Sequence, residues 1–200
     1  PLKQILELVD RYDAWCLVDD AHGGFVLGKT GKGACEYLDI KDNGRLIQMG
    51  TLSKALGCLG GYVVGSKAFI SYLHNKARSL IYSTALPPSV LASAIAAVEL
   101  LNKSPQLRLK LWENACYFRA GLEDLGFHTA ESQTQIVPLV LGDVKKTIEY
   151  AQKLYEQNIF APAIRPPSVP EGSARIRFSL MATHTLEQMN KVLKVLEEMR

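Results

Sequence analysis

Two short stretches hold residue types that do covalent chemistry. Asp19-Asp20-Ala21-His22 puts two acids and an imidazole directly after the apolar run 14–18. Further on, Gly50-Thr51-Leu52-Ser53-Lys54-Ala55-Leu56-Gly57 sets a lysine among small and hydroxyl-bearing residues. An acid at the end of a buried strand can hold a protonated ring nitrogen, and a histidine three residues later can reach the same ligand. A lysine amine becomes a nucleophile toward a carbonyl when desolvation or a nearby cation lowers its pKa. Thr51 and Ser53 can offer hydroxyls to a phosphate. Taken singly, each stretch also has a plainer reading: a solvated, capped turn for the first, a surface lysine in a polar loop for the second. Asp19 and His22 as metal ligands lack further ligands at suitable spacing, so no metal is expected.

The elements that must position these residues follow from periodicity. The run 14–18 ends in acids and predicts a buried strand. A glycine-rich loop follows, with Gly23, Gly24, Gly28, Gly31 and Gly33. Residues 45–49 and 61–64 predict two more strands, with helix-like stretches between and after them. Strands alternating with helices imply an α/β layer structure, and in open α/β sheets ligands bind beyond the carboxyl ends of the strands. In the second half, Leu111, Ala115, Phe118, Leu122 and Leu125 share a helical face that Gly126 ends. Val144, Ile148, Ala151 and Tyr155 predict the buried face of another helix. Leu186, Met189, Leu193 and Leu196 predict a third, opened by a Thr185–Gln188 capping box. Residues 136–141, 159–164 and 174–180 predict strands. In the last of these Arg175, Arg177 and Ser179 alternate with Ile176, Phe178 and Leu180. The expected boundary lies at Asn102-Lys103-Ser104-Pro105, giving domains 1–104 and 105–200.

Composition narrows the classes. Of 200 residues 48% are hydrophobic and 22% charged, which excludes a disordered, collagen-like or coiled-coil chain. The net charge of +3 is too even to point to nucleic acid or an anionic membrane surface. No apolar stretch reaches the roughly 18 residues of a membrane span. Cys16, Cys35, Cys58 and Cys116 form no CxxC pair or zinc pattern, and are expected to be reduced thiols in a cytoplasmic protein. The chain starts on Pro1 and at once on a helical pattern, so the expectation is the later part of a longer protein.

Together the two motifs fit one cofactor. Pyridoxal 5′-phosphate needs a lysine for its aldehyde, an acid for its pyridine nitrogen and donors for its phosphate. The rival of a dinucleotide-binding loop at Gly57-Cys58-Leu59-Gly60-Gly61 fails, because that stretch precedes a strand instead of opening a helix.

Val18-Asp19-Asp20-Ala21-His22-Gly23, the Gly50 to Gly57 stretch, Ile81-Tyr82-Ser83-Thr84-Ala85-Leu86-Pro87-Pro88, Ala163-Ile164-Arg165-Pro166-Pro167-Ser168-Val169-Pro170 and Ala174-Arg175-Ile176-Arg177 occur in order over nearly the whole chain. They resemble the α-oxoamine synthases, which are fold-type I pyridoxal-phosphate enzymes. The resemblance implies the carboxyl-terminal part of such a transferase: the rest of a large α/β domain plus a small α+β domain. It implies that Asp19 pairs with the pyridine nitrogen and His22 with the phenolic oxygen. Thr51 and Ser53 also touch the cofactor, and Lys54 is the Schiff-base lysine and the general base at the substrate Cα. Thr84 reaches the phosphate of the partner subunit in a homodimer with shared sites. Arg177 binds the amino-acid carboxylate, and Arg165 is a second cation near the substrate carboxylates. The implied reaction is decarboxylative condensation of L-alanine with a pimeloyl thioester, carried by coenzyme A or a carrier protein, in biotin synthesis. Two alternatives remain at this point: a glycine-using relative such as the one making 2-amino-3-oxobutyrate, and a silent partner subunit, which Lys54 opposes. The family usually has Gly-x-Gly after the histidine, and Phe25 departs from it. The family's amino-terminal half, with its ring-stacking histidine, is absent from the sequence, so the 200 residues alone are expected to be inactive.

Overall fold

The computed structural model describes residues 1–41 and 44–200, which divide into two compact units, Pro1–Pro105 and Gln106–Arg200. It begins with helix α1 (Leu2–Arg11), whose Leu2, Leu6 and Val9 pack on Cys16, Val18, Cys35 and Leu46. The chain leaves α1 through Asp13, at φ +51°, and the Ala14 amide still bonds back to the Val9 carbonyl. Strand β1 (Cys16–Asp19) therefore starts later than the apolar run that predicts it. Next come the short helix α2 (Ala34–Tyr37), strand β2 (Leu46–Thr51) and strand β3 (Gly61–Val64). β1 and β2 run parallel, with Asp19 opposite Met49, and β3 pairs antiparallel to β2, with Gly61 opposite Thr51. The parallel pair brings the carboxyl ends of β1 and β2 side by side. Helices α3 (Lys67–Lys76), α4 (Arg78–Ile81) and α5 (Pro88–Lys103) complete the unit. None of the three buries a residue, although α5 is rich in Leu, Ile, Val and Ala.

The second unit is built from helix α6 (Pro105–Asp124), strand β4 (Ile136–Gly142), helix α7 (Val144–Glu156), strand β5 (Ala163–Ile164), strand β6 (Ala174–Ser179) and helix α8 (Leu186–Glu198). Its sheet is antiparallel, in the order β4-β6-β5. The core holds Phe118, Leu122, Leu139, Leu154, Ile176 and Leu196, each almost fully removed from solvent. Such burial contributes about 1.5–3 kcal/mol per side chain. Phe118 and Phe178 meet edge to face at 4.9 Å between ring centres. Thr185 and Gln188 form the expected capping box at the start of α8.

Two expectations need correction here. The strand predicted at 159–164 shrinks to Ala163–Ile164. The Ile159 amide is taken by the Leu154 carbonyl at the end of α7, and Pro162 has no N–H to extend the ladder. On α7 the buried residues are Thr147, Tyr150 and Leu154, whereas Ile148 and Tyr155 of the predicted face are exposed. The buried hydroxyls are satisfied internally: Thr147 Oγ1 donates to the Asp143 carbonyl at 2.6 Å and the Tyr150 hydroxyl donates to the Met199 carbonyl at 2.8 Å. Satisfied polar atoms let Thr and Tyr occupy a core face that a count of aliphatics assigns elsewhere.

Candidate active site

Neighbouring strand ends carry the acid and the lysine. Asp19 is the last residue of β1, and its exposed carboxylate accepts the Ala21 amide at 3.0 Å through Oδ1. Lys54 lies in the turn just past the end of β2. Its side chain is exposed, and its amine makes no hydrogen bond or ion pair among the described residues. The lysine turn is fixed by Thr51, whose hydroxyl donates to the Gly60 carbonyl at 3.0 Å and accepts the Ser53 amide at 3.1 Å. The Ser53 hydroxyl lies 2.8 Å from that of Thr51. Thr51 therefore shapes the turn, and the exposed hydroxyl of Ser53 stands beside Lys54.

His22 is exposed and opens the glycine loop. That loop is held by two acids, Asp20 and Glu36, whose role no motif shows. Asp20, only 8% exposed, accepts the Ala34 amide at 2.8 Å through Oδ2. A Cβ at Gly23 would fall 1.9 Å from Asp20 Oδ1, and one at Gly33 would fall 1.8 Å from Oδ2. The two glycines thus leave room for a carboxylate that fastens the far end of the loop, at Ala34, beside the end of β1. Burial pushes the Asp20 carboxyl above its ordinary range; the Ala34 amide pulls against this and the neighbouring Asp19 charge adds to it. Glu36 holds the loop's far side, accepting the Thr30 amide, the Thr30 hydroxyl at 2.8 Å and the Lys32 amide at 2.9 Å. Burial works to raise its pKa, but these donors outweigh it and leave the carboxyl below the ordinary value.

Phe25, the departure from the family pattern, sits at φ +67°, a left-handed conformation that costs a non-glycine residue about 1–2 kcal/mol. Its ring contacts Tyr62 edge to face at 6.2 Å, a packing gain that a glycine could not supply. Tyr62 in turn fills the space beside Gly50, where a Cβ would meet its ring at 2.3 Å. Burial, then the charge of Asp20, raises the phenol's pKa. The sequence signal for Asp20 and Tyr62 lies in the glycines opposite them.

The remaining predicted residues stand elsewhere. Thr84 is exposed in the segment between α4 and α5, with no hydrogen bond to Lys54 or Asp19 among the described residues. Arg165 and Arg177 belong to the second unit. Arg165 is exposed, beside β5. Arg177 lies on the face of β6 opposite the core, half-buried, with its Nε lacking a hydrogen-bond partner.

Residues 1–196 match the family model of aminotransferase class I and II, and the chain belongs to that family. Within it, the chain is 46% identical over 200 residues to 8-amino-7-oxononanoate synthase of Citrifermentans bemidjiense, covering 99% of this chain and 51% of that protein. It is 42% identical over 198 residues to the synthase of the same name from Thermoanaerobacter pseudethanolicus, covering 98% of this chain and 50% of that one. The backbone superposes with a TM-score of 0.91 on a high-resolution structure described as SPT with PLP internal aldimine, at 30% identity, over 99% of this chain and 50% of that one. The expected resemblance to α-oxoamine synthases and the α/β fold of a fold-type I transferase are borne out. The chain spans about half the length of the curated relatives it matches.

Proposed function

We propose that the chain carries the lysine-bearing part of a pyridoxal 5′-phosphate site, in an enzyme that joins L-alanine to a pimeloyl thioester. Carbon dioxide and the thiol leave, and 8-amino-7-oxononanoate forms. The observation that carries this reading is the placement of Asp19 and Lys54 at the carboxyl ends of two adjacent parallel strands. Relatives named for this reaction support it.

The donor set fits the cofactor. Among the described residues the exposed carboxylate of Asp19 accepts one amide, and the exposed Lys54 amine has no hydrogen bond or ion pair. When bound, the cofactor supplies an aldehyde and an electron-withdrawing pyridinium ring. Asp19 would keep the ring nitrogen protonated, because a carboxylate beside that N–H favours the charged form. His22 would hydrogen-bond the phenolic oxygen. Ser53 and Thr51 would offer hydroxyls to the phosphate, and Thr84 would serve the phosphate of a partner subunit in a homodimer. Lys54 would hold the cofactor through its aldehyde, and its amine would serve as the general base that takes the alanine Cα proton and as the acid that returns a proton to that carbon. Arg177 holds the alanine carboxylate with a bidentate fork, and Arg165 adds a second positive charge toward the substrates. The protein acts in the cytoplasm, in biotin synthesis.

Borohydride reduction of the cofactor-loaded protein, followed by peptide mapping, tests the assignment. The phosphopyridoxyl group is expected on Lys54; its recovery on Lys29, Lys32 or Lys67 would overturn the reading.

A further inference from the structure

The second unit carries two cations on one sheet face where the reading above uses one. Alternation along β6 turns Ile176 and Phe178 into the core and leaves Arg175 and Arg177 on the opposite face, both half-buried. The two arginines line a single cavity of about 420 Å³ with Ile136, Pro138, Ile164 and Val169. That volume lies within the range of about 300–1,000 Å³ common for small-ligand sites. Neither guanidinium forms an ion pair among the described residues. Arg177 Nε is buried without a hydrogen-bond partner. Arg175 Nε donates to the Ser173 carbonyl at 2.8 Å, which fixes the plane of its fork, and its terminal nitrogens make no hydrogen bond among the described residues.

Same-face neighbours on a strand stand about 6.6 Å apart. Two half-desolvated positive groups so placed repel each other and have lost part of their hydration, an arrangement that two anionic groups relieve. One amino-acid carboxylate satisfies only Arg177. Ile136, Pro138, Ile164 and Val169 give the wall an apolar side that suits methylene groups, next to the hydroxyl-bearing Ser132 and Thr134.

We propose that Arg175 is a specificity-determining residue that binds the terminal carboxylate of a dicarboxylic acyl chain, with the chain's methylenes lying on this apolar wall. The proposal rests on the function proposed above for the amino-acid carboxylate and extends it to the choice of acyl substrate. An acyl group without a second carboxylate would leave Arg175 half-buried and unpaired, so the site would select against it.

Binding and turnover test it in the protein carrying this sequence. Pimelate and heptanoate have equal chain length and differ by one carboxylate. By calorimetry, pimelate is expected to bind at least ~10-fold more tightly than heptanoate, and Arg175→Gln is expected to bring the two within about twofold. Arg175→Lys keeps the charge without the fork and should retain part of the preference, which serves where the glutamine variant fails to fold. In turnover, Arg175→Gln should raise KM for pimeloyl thioester by ~10-fold or more, with KM for L-alanine within about twofold of wild type. Equal binding of pimelate and heptanoate to the wild type, an unchanged ratio in both variants, or displacement of pimelate by equimolar inorganic phosphate would overturn it. Turnover of pimeloyl and heptanoyl thioesters with equal efficiency would sink this inference and leave the proposed reaction standing. Arg175-dependent pimelate binding without any turnover would do the reverse.

Discussion

The two units use similar amounts of chain in opposite ways. Pro1–Pro105 places reactive groups on loops and strand ends: Asp19, His22 and Lys54 are exposed, and its buried apolar residues are a small cluster of Val9, Cys16, Cys35 and Leu46, with Val26, Ile47 and Leu56 buried besides. Gln106–Arg200 closes a full core around β4 and β6, with α6, α7 and α8 contributing buried side chains. Large apolar residues stay outside in the first unit, among them Leu17 at 65% and Ile95 at 62% exposure. The loops there are held by hydrogen bonds to Asp20, Glu36 and Thr51. In the second unit the hydrophobic effect holds the frame, and polar groups need only be satisfied. The difference is between a unit whose reactive loops are held by hydrogen-bonded side chains and one whose frame is held by a closed core.

The contrast can be broken most severely at the lysine. Lys54→Ala should lower product formation by at least about 10³-fold in the protein carrying this sequence, with cofactor still retained through Asp19 and the phosphate contacts. Steady-state rates with the cofactor's absorbance spectrum check both halves, and near-normal turnover would remove Lys54 from the site.

Next in size is a pair of truncations, one per unit. Leu139→Ala, in the closed core, should cost about 2–5 kcal/mol. Leu91→Ala, on α5 where no residue is buried, should cost under about 0.5 kcal/mol in the 200-residue chain. Denaturant titration followed by probes in each unit measures the two, and comparable losses would erase the contrast drawn here.

A smaller effect belongs to the cap of α8. Thr185→Ala removes the acceptor for the Gln188 amide and should cost the second unit about 1 kcal/mol, with no change in the first. A shift in both units would show that they unfold as one.

The smallest effects are in pH. Burial holds His184 below its ordinary pKa, so the unfolded chain binds the proton more readily than the native one. The second unit should therefore lose stability as pH falls below about 6.5, toward the lowered native value. Glu36 is also lowered, and its contribution is present above its unfolded value and lost as pH falls below about 4.3 through the native one. Acid should thus weaken the second unit before it loosens the loop of the first. His184→Gln should flatten the first slope and Glu36→Gln the second; loop loosening already at the higher pH would reverse the assignment.

Much of the frame was legible in the residues alone. Strand β3, the α6 face ending at Gly126 and the Thr185–Gln188 box stand where periodicity and capping chemistry put them. These are signals carried by neighbours in sequence, so no long-range contact is needed to read them. The chemistry-bearing types at 19, 22 and 54 were equally plain, since acid, imidazole and amine stand out in small-residue surroundings. The buried face of α7 is not legible in its aliphatics, because Thr147 and Tyr150 are buried with their hydroxyls donated to the carbonyls of Asp143 and Met199.

Sequence by itself determined the local pattern: which segments are helical or extended, and which residues can act as acid, base, nucleophile or anion receptor. Tertiary structure decided which of them share a place. Parallel pairing of β1 with β2 set the end carrying Asp19 beside the end that leads to Lys54, a relation that no spacing within either motif encodes. Packing decided that Asp20 goes inward and Asp19 outward, although the two are adjacent and identical in chemistry. It also drew Arg175 and Arg177 into one cavity with residues from β4 and β5. The physical reason is the same in each case: a strand's side chains alternate between faces with a period of two, but which face meets a core, a loop or open space depends on elements far away in the chain.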